Sequence, residues 1–173
     1  MTDASAYIGH ASCDAVTVMG GAFTIPGNET PHAETNIAFD PDAAAVFFSS
    51  FHTLNVHVVP LDMTRKVIWS KKTVAQIPAT TPQAAWIKHM LLTWFAKYSH
   101  EREGDFNLHD PLAVYLTFFP EHATWIKSGI EVVTKGIKRG QTVLNPTNPV
   151  CQIAWELDNP EAIAEHIFSL LFF

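Results

Sequence analysis

Val16-Thr17-Val18-Met19-Gly20-Gly21 and its counterpart Leu54-Asn55-Val56-His57-Val58-Val59-Pro60 decide the fold of this chain. Each is a short apolar run rich in β-branched residues. One stops at a glycine pair and the other at proline, so each reads as a strand followed by a turn. Both are apolar enough to be covered on two faces, as strands of a parallel sheet are. Working outward, Ala22 to Phe39 reads as a loop carrying Pro26-Gly27-Asn28 and Thr30-Pro31. Asp40-Pro41-Asp42 then opens a helix, with Asp40 as N-cap, Pro41 in the first turn and Asp42 at the positive end of the dipole. It continues through Ala43, Ala44, Val46 and Phe47. Thr81-Pro82 starts the longest helix, with Ile87, Met90, Leu91, Trp94 and Phe95 at helical spacing on one face. Gly104 to Asp110 reads as a loop, and Pro111 sets off a helix through Leu112 to Phe119. Ile130 to Thr134 and Val150 to Leu157 are further strands, and Asn159-Pro160 caps a last helix ending on Phe172 and Phe173. Strands alternating with helices predict an α/β fold, an open and largely parallel sheet with helices on both faces.

The chain has 173 residues, which on length alone predicts one domain, 1–173. Eleven Lys and Arg against 17 Asp and Glu give a net charge of −6. With no basic cluster to hold phosphates, nucleic-acid binding is not expected. No apolar run reaches the ~18 residues that a membrane helix needs, so no membrane partner is expected either. Met1 to Tyr7 has neither the basic start nor the apolar stretch of a signal peptide, and the expected location is cytoplasmic. Cys13 and Cys151 stand far apart in apolar company and read as buried thiols rather than a disulfide or metal pair. Charged residues make up 16%, against roughly 25% in an ordinary soluble domain.

In a parallel sheet the ligand sits beyond the carboxyl ends of the strands. Three polar loops qualify: those after Met19 and after Val59, and the one ending at His109-Asp110. The first offers Asn28, Glu34 and Asn36, two amides and a carboxylate. Such groups suit a polyhydroxylated ligand such as ribose, whose hydroxyls both donate and accept. On spacing alone, the plainer account is a loop whose side chains satisfy nearby backbone. In His109-Asp110-Pro111, a histidine can protonate a leaving group near neutral pH and a carboxylate can bind a hard cation. An Asp simply capping the helix ahead of Pro111 explains the same residues. His52 and His57 flanking a strand read as edge positions, Trp94 and Phe95 as core, and His100-Glu101-Arg102-Glu103 as a solvated helix end.

In this order the segments resemble the inosine-uridine preferring nucleoside hydrolase family. The likeness runs from Met19-Gly20-Gly21 through Asn28 to Ile37 and Asp40-Pro41-Asp42-Ala43-Ala44. It continues through Val59-Pro60-Leu61-Asp62-Met63-Thr64 and His109-Asp110-Pro111-Leu112-Ala113-Val114, and ends at Arg139-Gly140-Gln141-Thr142. The resemblance implies an open α/β sheet and hydrolysis of the N-glycosidic bond of ribonucleosides to ribose and free base. It implies a calcium ion that binds the attacking water and the ribose hydroxyls. Asn28, Glu34 and Asn36 then correspond to ribose-binding positions, and Met19 ends the strand lining the sugar pocket. Asp110 corresponds to a calcium ligand, and His109 to the histidine near the base, proposed as leaving-group acid.

The family's Asp-x-Asp-x-Gly-x-Asp-Asp cluster, which supplies the other calcium ligands, has no counterpart among Asp3, Asp14, Asp40, Asp42, Asp62, Asp105, Asp110 and Asp158. A calcium site takes about 6–8 oxygens. The expectation is therefore the C-terminal half of such a fold, without its N-terminal strands and with little activity alone. The low charge fits a sheet cut where it should be covered. The alternative is a non-catalytic half-domain that binds a ribose-like ligand, associates with itself, or pairs with a chain carrying the complementing N-terminal half. A metal phosphohydrolase built on His109-Asp110 would need further His and Asp ligands, and none stands at a matching position.

Overall fold

A computed structural model describes residues 15–50, 55–98 and 104–173. Strand β1, Ala15–Met19, forms as its β-branched run predicts. The loop after it is less irregular than the sequence suggests, because a short helix α1 spans Thr35–Phe39. One turn is too short to show periodicity; it exists because the Glu34 side chain caps it, accepting from Asn36 N and Ile37 N. Helix α2, Pro41–Ser50, begins as expected, with Asp40 Oδ1 accepting from Ala43 N at 3.0 Å. Strand β2 covers Asn55–Val59, and Leu54 lies outside the described residues, as do Cys13, His52 and His100 to Glu103.

Four small elements follow that the sequence reading did not separate. They are α3 at Leu61–Thr64, β3 at Ile68–Trp69, α4 at Lys71–Ala75 and, after α5, β4 at Phe106–Asn107. The long helix α5 spans Pro82–Tyr98 and buries Ala84, Leu91 and Phe95, with Ile87 and Trp94 packed alongside. Met90, expected on that face, stands 44% exposed at its margin. Helix α6, His109–Phe118, starts before Pro111, which sits inside the first turn where its missing N–H costs nothing. A 3₁₀ turn at Pro120–His122 leads into β5, Ala123–Ser128, a strand absent from the sequence reading. Strands β6 at Ile130–Val132 and β7 at Thr142–Leu144 follow, then β8 at Cys151–Leu157 and helix α7 at Pro160–Phe172.

The main sheet has the order β1-β2-β8-β5. β1 pairs parallel with β2 in the register Met19↔Val59, and β2 pairs parallel with β8, whereas β5 adds antiparallel at the far side. The strand expected at Ile130 to Thr134 is not part of this sheet. It forms a separate antiparallel hairpin with β7. One sheet face packs Val18, Val56, Val58 and Ile153 against Ile37, Ala44, Phe47 and Phe48 of α1 and α2. The other packs Met19, Val59 and Ala154 against α5, α6 and α7. Helices therefore cover both faces, and the carboxyl ends of β1 and β2 open at one edge, where Gly20 N donates to Val59 O at 3.2 Å.

Candidate active site

The turn leaving β1 carries the candidate site. Glu34 is 2% exposed, yet no part of its carboxylate is idle. Oε2 accepts from Gly21 N at 3.1 Å and Ile37 N at 3.2 Å, and Oε1 accepts from Asn36 N at 2.9 Å. Burial pushes the carboxyl pKa above its ordinary value, the three amides pull it back down, and the negative charge of Asp110 adds to the rise. Glu34 thus fulfils the plainer reading of the loop, a side chain serving nearby backbone, while lying where the family resemblance puts a sugar ligand.

Asn36 is exposed, and its Nδ2 reaches Met19 at the end of β1, 3.3 Å from the carbonyl and 3.2 Å from Sδ. Asn28, also exposed, folds back so that Oδ1 accepts from Thr35 N at 3.0 Å. Met19, Glu34 and Asn36 are thereby gathered at the carboxyl end of β1, with Asn28 bracing the same loop from the solvent side. His109 and Asp110 enter from the first turn of α6. This helix lies over β1, where Thr117 Oγ1 donates to Thr17 Oγ1 at 2.9 Å. Asp110 is exposed, and its charge reaches Glu34.

Three residues that sequence reasoning assigned no role hold this arrangement. Thr64, fully buried at the end of α3, lies 2.7 Å from His109 Nδ1 and orients the imidazole. Asp62, 6% exposed, accepts from Phe23 N at 3.0 Å and Thr24 N at 2.7 Å, and also from the Thr24 hydroxyl. Thr142 Oγ1 accepts from Ala22 N at 3.0 Å and donates to Ala22 O at 2.9 Å. Asp62 and Thr64 lie in the Val59-to-Thr64 block and Thr142 in the last block. Their place within those blocks was the available signal, but only contacts across the fold reveal what each one grips.

Calcium can be weighed against these donors. Among the described residues no three His, Cys, Asp or Glu side chains converge where an ion would sit. Asp110 alone falls far short of the 6–8 oxygens calcium takes. The described residues do not by themselves make its site. Trp94 and Phe95 pack as core, whereas Trp86, 64% exposed, lines a shallow apolar groove with Pro82, Gln83 and Ile87 on α5.

The profile of the inosine-uridine preferring nucleoside hydrolases matches residues 10–164, nearly the whole chain. The chain belongs to this family. Among other nucleoside hydrolases, it is 30% identical to "Probable uridine nucleosidase 2" of Oryza sativa subsp. japonica, over 86% of this chain and 48% of that protein. It is 32% identical to the "Pyrimidine-specific ribonucleoside hydrolase RihA" of Salmonella newport, over 79% and 44%. Its fold superposes with a TM-score of 0.81 and 29% identity on the "Purine-Preferring Ribonucleoside Hydrolase from Gardnerella vaginalis", covering 90% of this chain and 51% of that one. As a nucleoside hydrolase sequence, the chain spans about half the length of these relatives.

Proposed function

We propose that this chain forms the ribose-recognising and leaving-group side of an enzyme that hydrolyses the N-glycosidic bond of ribonucleosides, giving ribose and free base. The observation that carries this reading is the gathering of Glu34, Asn36 and Met19 at the carboxyl end of β1, with the Glu34 carboxylate locked by three amides. Amide and carboxylate groups of Asn28, Glu34 and Asn36 offer donors and acceptors to sugar hydroxyls. Carboxylate charge beside the ring stabilises the oxocarbenium-like transition state. His109, oriented by Thr64, would protonate the departing base, a contribution of ~10²–10⁴ in rate. Asp110 is proposed as one calcium ligand, with the other donors coming from outside the described residues. The Cys151 thiol is buried and its pKa is pushed up to about 12, so it serves as an unreactive core group.

A second reading is favoured by Asp110 standing exposed with no converging group of three His, Cys, Asp or Glu side chains among the described residues. In it the chain is a half-domain that binds a ribose-like ligand without turnover, forms a homo-oligomer, or completes a site with a chain carrying the N-terminal half. One pair of measurements tests the ribose site and the turnover separately. Inosine and uridine are offered to the purified 173-residue chain with calcium, with released base and bound nucleoside both recorded. Binding with little or no release is expected for the isolated chain. Efficient calcium-dependent release would show that it is a complete catalyst, and absence of both would remove the ribose site itself.

A further inference from the structure

The motif Arg139-Gly140-Gln141-Thr142 is part of what marks the family, yet it contributes no group to the ribose or base side of the site described above. Its place in the fold suggests why it is there. Thr142 opens β7, and its hydroxyl closes two hydrogen bonds with a single residue, Ala22 N at 3.0 Å and Ala22 O at 2.9 Å. The group is 4% exposed, so neither bond has water as a ready substitute. Ala22 follows Gly21, whose own N–H donates to Glu34 Oε2 at 3.1 Å. Gly21 has φ 85°, and a Cβ there would stand 3.2 Å from Thr142 Oγ1. Thus the hairpin grips Ala22, the residue next to the one whose N–H is delivered to the carboxylate, and leaves little room for a side chain on Gly21. The hairpin also backs the neighbouring loop, since a Cβ on Gly140 would stand 2.8 Å from Ala33 Cβ, next to Glu34.

We infer that Thr142 is a positioning residue: it clamps Ala22 so that the Gly21 N–H is held on Glu34, and so sets the carboxylate against which the sugar is bound. Its consequence for binding rests on the function proposed above, while the clamp itself does not. The test is amide exchange on the intact chain. In Thr142→Val, which keeps the shape and removes the hydroxyl, the Gly21 and Ala22 amides should exchange about tenfold faster. Those of Leu91 and Leu116 should be unchanged, and Thr142→Ser should restore the wild-type rates. Inosine titrated into the same samples should bind about tenfold more weakly to Thr142→Val than to wild type or Thr142→Ser. If every amide speeds up alike, or serine fails to restore Gly21, Thr142 merely stabilises the fold and the inference is overturned. Should wild type ignore inosine, the ribose reading fails while the exchange data still decide the clamp. Were Thr142→Val not to fold, Thr142→Ala removes the same hydroxyl, and a Gly21 rate there equal to wild type would overturn the inference.

Discussion

Glu34 shows how one side chain meets two demands. Its carboxylate ends a turn, caps a helix and, in the proposed function, faces a sugar. Replacing it with Gln leaves one carbonyl oxygen for three N–H donors and sets an NH₂ against them. Glu34→Gln should cost about 1–3 kcal/mol in urea-unfolding free energy at neutral pH. The pH dependence has a definite sign. Because burial raises the pKa in the folded state above that of the unfolded chain, the folded form holds its proton more tightly. Stability is therefore greatest below the unfolded-state value and falls as pH rises through the raised folded-state value. Unfolding curves across that window should show this fall in wild type and lose it in Glu34→Gln. A slope that survives the substitution would assign it to another group. Thr64 makes a parallel case. Thr64→Val should release His109 Nδ1 from its partner, and the imidazole ¹⁵N shifts should change tautomer balance while the buried methyl volume is kept.

Among the elements, α5 gives the sharpest contrast between pattern and packing. Its apolar spacing predicts one face, and Leu91 and Phe95 do occupy it, 4% and 1% exposed. Met90 is next to Leu91 in sequence but about 100° around the helix, and it emerges at the margin. Leu91→Ala should destabilise by about 2–5 kcal/mol and Met90→Ala by no more than about 0.5 kcal/mol, read from denaturant midpoints. Equal losses would mean that α5 is rotated from the position described. The helix starts at Asp40 and Asn159 were legible because a capping side chain and a following proline act within one turn. Helix α1 was not. Its cap is Glu34, outside the usual capping residues, and its five residues carry too little pattern to be seen.

At the scale of the whole molecule, the site depends on chain segments more than a hundred residues apart. The β6–β7 hairpin reaches Ala22 through Thr142, and Arg139 pairs with Asp42 at 2.8 Å on the surface of α2. Gly140 closes the hairpin at φ 89°, against Ala33. Gly140→Ala should cost about 1–2 kcal/mol from the left-handed backbone alone, with more from the crowded Cβ, seen as a lowered Tm. The sequence by itself determined the class of fold, because burial on both faces demands β-branched runs and helix caps act locally. It determined the family as well, because four blocks in order are specific where one is not. It also named Glu34, Asn36, His109 and Asp110 as polar groups of loops expected beyond the carboxyl ends of the strands. Only the tertiary structure decided that β6 leaves the main sheet for its own hairpin and that β5 runs antiparallel. It alone showed that Thr64, Asp62 and Thr142 hold the site in place. These are partnerships between distant segments, and a hydroxyl or carboxylate in a sequence carries no mark of the amide it will meet once the chain closes.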